Sequence, residues 1–441
     1  MMRQSKSNST LSAGIARRCI TPPRPVFQSG YGRSAKSEGV YQQLHARALV
    51  LEDTKRDRVA ILTAELLDFS QPLVDAIKAG VKTRLGLDES QVLLSASHTH
   101  CGPVVDDQIA NLYPEVDMEY VRWLGQACID TICDAARELK PVTAQFATGV
   151  AVFGINRRRP DLPGCPMLPN PSGRCDHEVT ILKLAQPNGD PVAILFSYAC
   201  HATVMGGQII GGDYPGHAQL QLEMEFPGAN AMFLAGCFGD VRPRLINAKG
   251  SFRGGSIDDV RALGRELSLA VMAGLTGTVQ DVTGPLLHRI ETVQLPYQKP
   301  LTKDEFGKVA ARNQGYEGKW AKVMLERLEK DGRLPRSRPS TVQALGIGPF
   351  RIVAFNDEMC VGYQLQVKKR LAPAPALVAG YCGCSRSYVP TADMIPQGGY
   401  EAHTNIHVYL EPAPLAPKTE QVLLSTALRL AGAKRGAAKA S

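Results

Sequence analysis

The 441-residue sequence predicts an α/β fold, because apolar runs typical of buried strands alternate with segments of helical spacing. Arg58–Leu66 and Val92–Ser97 are rich in β-branched and aliphatic residues, and Pro72–Leu85 between them has the periodicity of an amphipathic helix. Hydrophobic residues make up 44% of the chain, which is enough for a sizeable core. We therefore expect a single large domain in which helices flank a mixed β-sheet core.

The later segments continue this alternation. Val179–Leu184 and Val192–Ala199 flank the sequence Pro-Asn-Gly-Asp, which predicts a hairpin. Further strands are predicted at Ala231–Ala235, Phe350–Phe355 and Ala376–Tyr381, and further helices at Tyr120–Leu139, Ile257–Leu275, Cys360–Leu371 and Gln421–Leu430. Arg157–Cys175 and Lys330–Ser340 are predicted to be irregular, and long irregular loops often carry function. The folded domain is expected at residues 13–431, with a helical insertion within 302–340 and disorder at 1–12 and 432–441.

Charge and hydropathy exclude several classes of protein. The net charge of +8 is dispersed rather than clustered on one element, which argues against nucleic acid binding. No run approaches the roughly 20 apolar residues that cross a bilayer, so stable membrane insertion is not expected. Residues 1–25 lack the apolar core of a secretory signal, so we expect a cytoplasmic protein whose eleven cysteines are reduced. The expected partner is a small-molecule substrate, and homo-oligomer formation is left open.

Two histidines follow a predicted strand in the segment Ser-His-Thr-His-Cys-Gly-Pro at 97–103. The carboxyl ends of strands are where α/β sheets bind ligands, and the Gly-Pro pair requires the chain to turn there. His98 and His100 are two residues apart, so on extended backbone they project to the same side. One histidine can then bind a metal while the other faces substrate. The alternative is a pair of polar loop histidines.

Two more strand ends carry polar residues. His201 follows the strand at Val192–Ala199 and precedes a Gly-rich turn that contains Asp213, and Asp240 follows the strand at Ala231–Ala235. Imidazoles and carboxylates are common zinc ligands, so these strand ends together predict a zinc site near the sheet edge. Each residue taken alone is equally typical of a hydrogen-bonded buried polar group.

These segments in order resemble the neutral/alkaline ceramidase family, zinc amidases that cleave the N-acyl bond of sphingolipids. The resemblance runs from Ala13 to about Asn405. It includes the S-H-T-H-x-G-P segment, I-N-R at 155–157, the strand that ends before His201, G-D-V-x-P at 239–243, and Y-[IV]-x-T at 388–391 followed by Tyr400 and Glu401.

The resemblance implies one zinc ion per chain, held by two histidines, a glutamate and a tyrosine. These residues correspond to His98, His201, Glu358 and Tyr388 in this sequence, with Asp357 as the alternative acidic ligand. The resemblance also assigns catalytic roles to three residues, namely His100, Arg157 and Tyr400. Zinc lowers the pKa of its bound water towards about 7 and polarises the scissile carbonyl. Arg157 and Tyr400 are suited to donate to the developing oxyanion, and His100 to carry a proton to the leaving amine.

Arg242 is the main departure from the family pattern. Ceramidases carry serine in G-D-V-S-P, and an arginine cannot act as nucleophile or base. An Arg242 that faces the site favours an anionic substrate group, whereas a structural arginine in an outward turn is the alternative. Asp213 and Asp240 are assigned to substrate binding with it. Ceramidases also continue into an immunoglobulin-like domain, which we do not expect here because too few residues follow Glu411 for a sandwich of roughly 100 residues.

The sequence therefore predicts a zinc-dependent hydrolase, an amidase that cleaves an amide or related acyl bond of a small polar or anionic molecule. One alternative is a neutral ceramidase or N-acyl-sphingolipid amidase. A second alternative is a catalytically inactive binding protein on the same scaffold, because family resemblance does not settle substrate or activity.

Overall fold

The computed structural model describes residues 11–106 and 115–433. The strands are β1 (Leu11–Cys19), β2 (Gly39–Val40), β3 (His45–Asp53), β4 (Arg58–Ala64), β5 (Val92–Ala96), β6 (Lys140–Val150), β7 (Gly154–Arg158), β8 (Met167–Asn170), β9 (Glu178–Ala185), β10 (Pro191–Tyr198), β11 (Ile209–Ile210), β12 (Asn230–Ala235), β13 (Val241–Pro243), β14 (Gln280–Val282), β15 (Leu286–Pro296), β16 (Ser337–Ile347), β17 (Phe350–Phe355), β18 (Glu358–Met359), β19 (Ala376–Ala379) and β20 (Tyr388–Val389). The α-helices are α1 (Gln71–Leu85), α2 (Met118–Ala135), α3 (Asp213–Glu225), α4 (Ile257–Thr276), α5 (Lys303–Arg312), α6 (Tyr316–Asp331), α7 (Val361–Leu371), α8 (Ile406–Tyr409) and α9 (Lys418–Leu430), and Tyr400–Thr404 forms a π-helix.

A nine-stranded mixed sheet, in the order β12-β10-β9-β6-β1-β3-β4-β5 with β14 beside β6, forms the centre of the fold. Most neighbours are antiparallel, while β4 pairs with β5 and β10 pairs with β12 in parallel. A second sheet, β15-β16-β17-β19, packs against one face of the first. The predicted mixed α/β fold is therefore confirmed.

Both faces of the central strands are buried, which explains why their sequences are continuously apolar rather than alternating. In β4, Val59 and Ile61 pack into the core between the two sheets, while Ala60 and Leu62 pack into the core under α1 and α2. Helices α3 and α4 cover the other half of that outer face, and α7 and α9 cover the outer face of the second sheet. The protein is thus a four-layer αββα sandwich.

The residues that directly follow β19 connect the second sheet to the carboxyl ends of strands in the first sheet. The main-chain N–H of Ala96, at the end of β5, donates to the carbonyl of Tyr381 at 3.1 Å. The main-chain N–H of Gly380 donates to the carbonyl of Ala235, at the end of β12, at 2.9 Å. Strands β5 and β12 lie at opposite ends of the nine-stranded order and nevertheless contact each other. The segments that follow β5, β10, β12 and β17 therefore meet at one edge.

Two segments predicted to be irregular contain strands. Residues 154–158 and 167–170 form β7 and β8, which join β13 in a three-stranded sheet, so the prediction for Arg157–Cys175 is wrong at both strands. Strand β16 begins at Ser337, so the predicted irregular segment ends earlier than Ser340. These strands form by pairing of β7 with β8 and β13, and of β16 with β15, which the Pro- and Gly-rich local sequence does not indicate.

Helices α5 and α6 form a hairpin between β15 and β16, within the range in which a helical insertion is predicted. Phe306 and Trp320 bury their rings against each other in a small core of their own. The indole of Trp320 donates to the carbonyl of Glu411 at 2.7 Å, and Arg327 donates to the carbonyl of Leu410 at 2.7 Å. The hairpin thereby holds the chain that follows the π-helix.

The predicted disorder at the two ends lies largely outside the described residues, although Leu11 and Ser12 are ordered in β1. All eleven cysteines are free thiols. Across residues 11–106 and 115–433, each helix is too short or too polar to cross a bilayer.

We predict that Gly149→Ala lowers the free energy of unfolding, because a β-carbon at Gly149 would lie 2.1 Å from the carbonyl oxygen of Ala270 in α4. Neither backbone can yield freely, and overpacking of this kind costs about 1–3 kcal/mol. Gly307, inside α5, has open space around it, so Gly307→Ala should raise stability by about 0.5–1 kcal/mol. Urea unfolding of the two variants checks this, and equal stability would contradict the packing of α4 on β6.

Candidate metal centre

His98 lies just beyond β5 in a left-handed backbone conformation with φ of +61°. Such a conformation is uncommon outside glycine and is maintained where the surroundings hold the residue in place. The ring packs 4.2 Å from that of Tyr381, centroid to centroid. Its Nδ1 donates to the carbonyl of Leu67 at 2.9 Å, so the proton is on Nδ1 and the lone pair of Nε2 faces inwards.

His201 is held in the same way by the chain that follows β12. Its Nδ1 lies 2.7 Å from the carbonyl oxygen of Phe238 and 3.0 Å from that of Val241. The side chain is fully buried, and Nε2 again points away from these carbonyls. A histidine whose Nδ1 donates to a carbonyl is the usual arrangement of a metal ligand that binds through Nε2.

Glu358 and Tyr388 face each other across the short pair β18 and β20, in which they are register partners. The Oε2 atom of Glu358 lies 3.3 Å from Nε2 of His98 and 3.5 Å from Nε2 of His201. The hydroxyl of Tyr388 lies 3.3 Å from Nε2 of His201. The structure therefore brings together all four side chains that the sequence assigned to the metal, while the ligand roles themselves remain predictions.

His100 completes a cluster with the other two histidines. The ligand atoms of His98, His100 and His201 lie within 4.8 Å of one another. Among the described residues, neither ring nitrogen of His100 has a hydrogen-bond partner, and the same holds for His98 Nε2 and Glu358 Oε2. Unpaired buried polar atoms are costly, so their convergence marks a place suited to a cation and a polar ligand.

Burial sets the charge of these groups. It lowers the pKa of His100 well below its usual range and the pKa of His201 to about 4, which leaves both rings neutral at pH 7. Burial alone would raise the pKa of Glu358, but the adjacent His98 and His201 outweigh it and hold that pKa well below its usual range. A neutral imidazole, as at His100 and His201, and an ionised carboxylate, as at Glu358, are the forms in which these side chains bind zinc.

Arg157 reaches the same site from β7. Its Nε donates to Oε1 of Glu401 at 2.7 Å, and Arg158 donates to Oε2 of the same carboxylate at 2.7 Å. The guanidinium carbon lies 5.4 Å from the ring centroid of Tyr388 and 5.9 Å from that of Tyr400. Nη2 of Arg157 has no hydrogen-bond partner within residues 11–106 and 115–433, so one charged donor remains available.

Arg242 is partly buried, with its guanidinium carbon 4.3 Å above the ring of Phe252. Its Nε atom is buried and lacks a hydrogen-bond partner in the described part of the chain. Burial and the nearby charge of Arg157 lower the pKa of Arg242, and Tyr31 also lies within electrostatic reach. The ring of Tyr31 packs 4.7 Å from that of His100. Arg242 thus lies beside the site with an unsatisfied donor.

Three acidic residues from the sequence analysis, Asp213, Asp240 and Asp357, accept hydrogen bonds from main-chain or arginine groups instead of facing the histidines. Asp213 accepts from the N–H groups of Met205 and Tyr214 at 3.0 and 2.7 Å. Asp240 accepts from the N–H of Val361 at 2.7 Å. Asp213 and Asp240 were predicted to bind substrate. Their carboxylates already accept these main-chain hydrogen bonds, whereas Oε2 of Glu358 has no partner in the described residues.

Asp357, the alternative acidic ligand, is bound by Arg338 at 2.9 and 3.0 Å. Its carboxylate also accepts from Ser340 at 2.7 Å and from the N–H of Arg386 at 3.1 Å. Glu358 is therefore the acidic residue that faces the histidines. The side chains that the sequence left unassigned around the site are Tyr31, Tyr381, Glu401 and Tyr409, and only Glu401 stood next to a recognised motif.

An αββα scaffold that gathers three histidines and a glutamate at strand ends defines a candidate metalloprotein. The model of the neutral/alkaline non-lysosomal ceramidase N-terminal region matches residues 12–259. This match covers more than half of the chain, so the protein belongs to that family. The matched region contains His98, His100, Arg157, His201 and Arg242.

The chain is also similar to individual family members. It is 26% identical to the neutral ceramidase of Drosophila melanogaster over 279 residues, which are 57% of this chain and 38% of that protein. It is 25% identical to the neutral ceramidase of Pseudomonas aeruginosa over 304 residues, which are 63% of this chain and 44% of that protein. These matches therefore span less than half of each relative.

The fold extends the similarity beyond residue 259. The crystal structure of the Pseudomonas aeruginosa neutral ceramidase superposes with a TM-score of 0.76 at 19% identity, covering 96% of this chain and 74% of that one. At this identity the similarity concerns the fold, which includes the part of the chain that carries Glu358, Tyr388 and Tyr400.

We predict that Glu401→Ala lowers the free energy of unfolding by about 3–5 kcal/mol, because it leaves two buried guanidinium groups without their carboxylate. Asp161→Ala, which removes the carboxylate of the exposed pair with Arg159, is the control and should cause no measurable change. Thermal and urea unfolding measure both. A Glu401→Ala protein as stable as the control would contradict the buried ion triad.

Proposed function

We propose that this protein is a zinc-dependent hydrolase that cleaves an amide or related acyl bond of a small polar or anionic molecule. The observation that carries the proposal is the convergence of His98 Nε2 and His201 Nε2 on one oxygen of Glu358. Membership of the ceramidase family supports the same reaction class.

The donor set fits zinc. Nitrogen from His98 and His201 and oxygen from Glu358 and Tyr388 are ligand types that zinc accepts. Oε2 of Glu358 and Nε2 of His98 have no hydrogen-bond partner in the described residues. When bound, zinc supplies Lewis acidity that lowers the pKa of water and polarises a carbonyl. The two Nδ1 hydrogen bonds to main-chain carbonyls would hold the imidazoles in the metal-binding tautomer.

The remaining polar groups have separate roles in this proposal. His100 has no competing hydrogen bond in the described residues, so its ring can take and return a proton at the leaving amine. Arg157 is oriented by Glu401 through Nε, which leaves Nη2 to donate to the oxyanion. Tyr400, whose ring packs 5.2 Å from that of Tyr388, lines the same wall of the site and is the second predicted donor.

Arg242 supports a substrate with an anionic group. Its guanidinium packs on the ring of Phe252, and its buried Nε has no hydrogen-bond partner in the described residues. An arginine in this state gains most from a carboxylate or phosphate, whose oxygens match its planar donors. Among the described residues, the charged groups that act on Arg242 are led by Arg157 and include no carboxylate, so the substrate is the natural source of the counter-charge.

A second candidate function is the cleavage of ceramide itself. The family match and the neutral ceramidase relatives favour it. The arginine at position 242, where the family pattern G-D-V-S-P has serine, favours a different substrate. Assay of the zinc-loaded protein on ceramide and on short N-acyl amino acids separates the two candidates, since a preference for ceramide would overturn the anionic-substrate proposal.

We predict that the purified protein binds about one zinc ion per chain and that His98→Ala and His201→Ala each abolish stoichiometric binding, because each removes a nitrogen ligand. His177→Ala, at an exposed histidine, is the matched control and should retain zinc. Elemental analysis after dialysis against a weak chelator gives the measurement. Undiminished zinc in both site variants would refute the assignment.

We predict that Arg242→Lys lowers kcat/KM for an anionic N-acyl substrate by about 10-fold or more at unchanged zinc content, because an ammonium group cannot form the bidentate pair. Arg244→Ala is the neighbouring control, since Arg244 is exposed. Neutral substrate analogues should be hydrolysed equally well by the wild-type and Arg242→Lys enzymes. If Arg242→Lys and Arg242→Ala both keep full kcat/KM, this arginine is structural.

A further inference from the structure

The two oxygens of the Glu358 carboxylate lie in different environments. Its Oε2 atom faces the histidines and has no hydrogen-bond partner among residues 11–106 and 115–433. Its Oε1 atom accepts a hydrogen bond from the hydroxyl of Tyr409. Tyr409 lies at the end of α8, outside every motif recognised in the sequence. The phenol therefore binds Oε1, whereas Oε2 is the oxygen that lies near Nε2 of His98 and His201.

Tyr409 is itself held from several sides. Its ring packs 6.2 Å from that of Tyr388. The residues that follow it are anchored by the α5–α6 hairpin, because Arg327 binds the carbonyl of Leu410 and Trp320 binds that of Glu411. Asn405, one turn earlier, donates to the carbonyls of the π-helix at 2.8 and 2.9 Å. These contacts hold Tyr409 where its hydroxyl can donate to Glu358.

We propose that Tyr409 is a positioning residue that fixes Glu358 as a ligand through Oε2 alone, and that the α5–α6 hairpin contributes to the metal centre by holding Tyr409. This inference rests on the proposed zinc-dependent function. A carboxylate that is free to rotate can present either oxygen or both, whereas one with an oxygen bound to a phenol presents a single atom to the metal. Hydrogen-bonded partners of metal ligands raise affinity in this way, typically by about 10–100-fold.

The test is Tyr409→Phe, which removes only the hydroxyl. Zinc affinity is measured by competition with a chelator, together with the thermal midpoint of the metal-free protein. We expect zinc affinity to fall about 10–100-fold with little change in that midpoint. The cobalt-substituted variant should also show an altered visible spectrum, because Glu358 is then free to bind through both oxygens.

Tyr297→Phe is a matched control. Tyr297 donates its hydroxyl to Glu411, so the variant removes another phenol–carboxylate bond close by but away from the histidines. Zinc affinity should stay at the wild-type value in this control. A Tyr409→Phe affinity equal to that of the wild type, or an equal loss in Tyr297→Phe, would overturn the inference.

A double-mutant cycle shows whether Tyr409 acts through Glu358. In a Glu358→Gln background, the further Tyr409→Phe change should lower zinc affinity by less than about 3-fold, because the two residues are coupled. A full additional loss in that background would contradict the positioning role. Absence of zinc binding by the wild-type protein would instead defeat the proposed function, so the two failures are distinguishable.

Discussion

The buried carboxylate of Glu358 lies between two imidazoles that are themselves locked by main-chain carbonyls, and much of the fold serves to assemble this contact. His98 follows β5 and His201 follows β10, whereas Glu358 belongs to the segment after β17 in the other sheet. Gly380 and Tyr381, which follow β19 of the second sheet, hydrogen-bond to the ends of β12 and β5 and so help to bring these strand ends together. An ionised carboxylate beside unpaired ring nitrogens is a costly arrangement in a protein interior, and a bound cation would make it favourable.

Periodicity and composition predicted the fold class well. The buried strands β4, β5, β10, β12 and β17 were each located to within a few residues, because both of their faces are buried and their sequences are continuously apolar. Strands β1, β3, β6 and β15 were not predicted, and β7, β8 and the start of β16 were missed within segments predicted to be irregular. The residues of β7, β8 and the start of β16 are polar or rich in Pro and Gly, and they become strands through the pairing of β7 with β8 and β13 and of β16 with β15.

Site residues that lie in a sequence motif could be predicted, whereas residues that reach the site through tertiary packing could not. His98, His100 and His201 follow apolar strands, so their positions at a sheet edge could be inferred. The choice of Glu358 over Asp357 as ligand depended on resemblance to a family and stays a prediction; in the structure Arg338 and Ser340 bind Asp357, whereas Glu358 faces the histidines. Tyr409 has no sequence signal, because its hydrogen bond to Glu358 depends on tertiary packing, which includes the bonds of the α5–α6 hairpin to the residues that follow it.

Arg242 is the main difference between this protein and the sequence pattern G-D-V-S-P of its family. Where a serine is expected, the chain places a guanidinium against an aromatic ring beside the histidine cluster, with a donor left unpaired in the described residues. The scaffold and the proposed metal ligands can thus be retained while the group that recognises substrate changes. Family membership constrains the reaction class in this proposal, and residue 242 constrains the substrate.

The most direct test of the account is a crystal structure of the zinc-loaded protein with anomalous diffraction data collected on both sides of the zinc absorption edge. The account predicts a single strong peak per chain, within about 2.0–2.2 Å of His98 Nε2, His201 Nε2 and Glu358 Oε2. A peak bound by other residues, or fully loaded crystals without a peak between these three atoms, would contradict it.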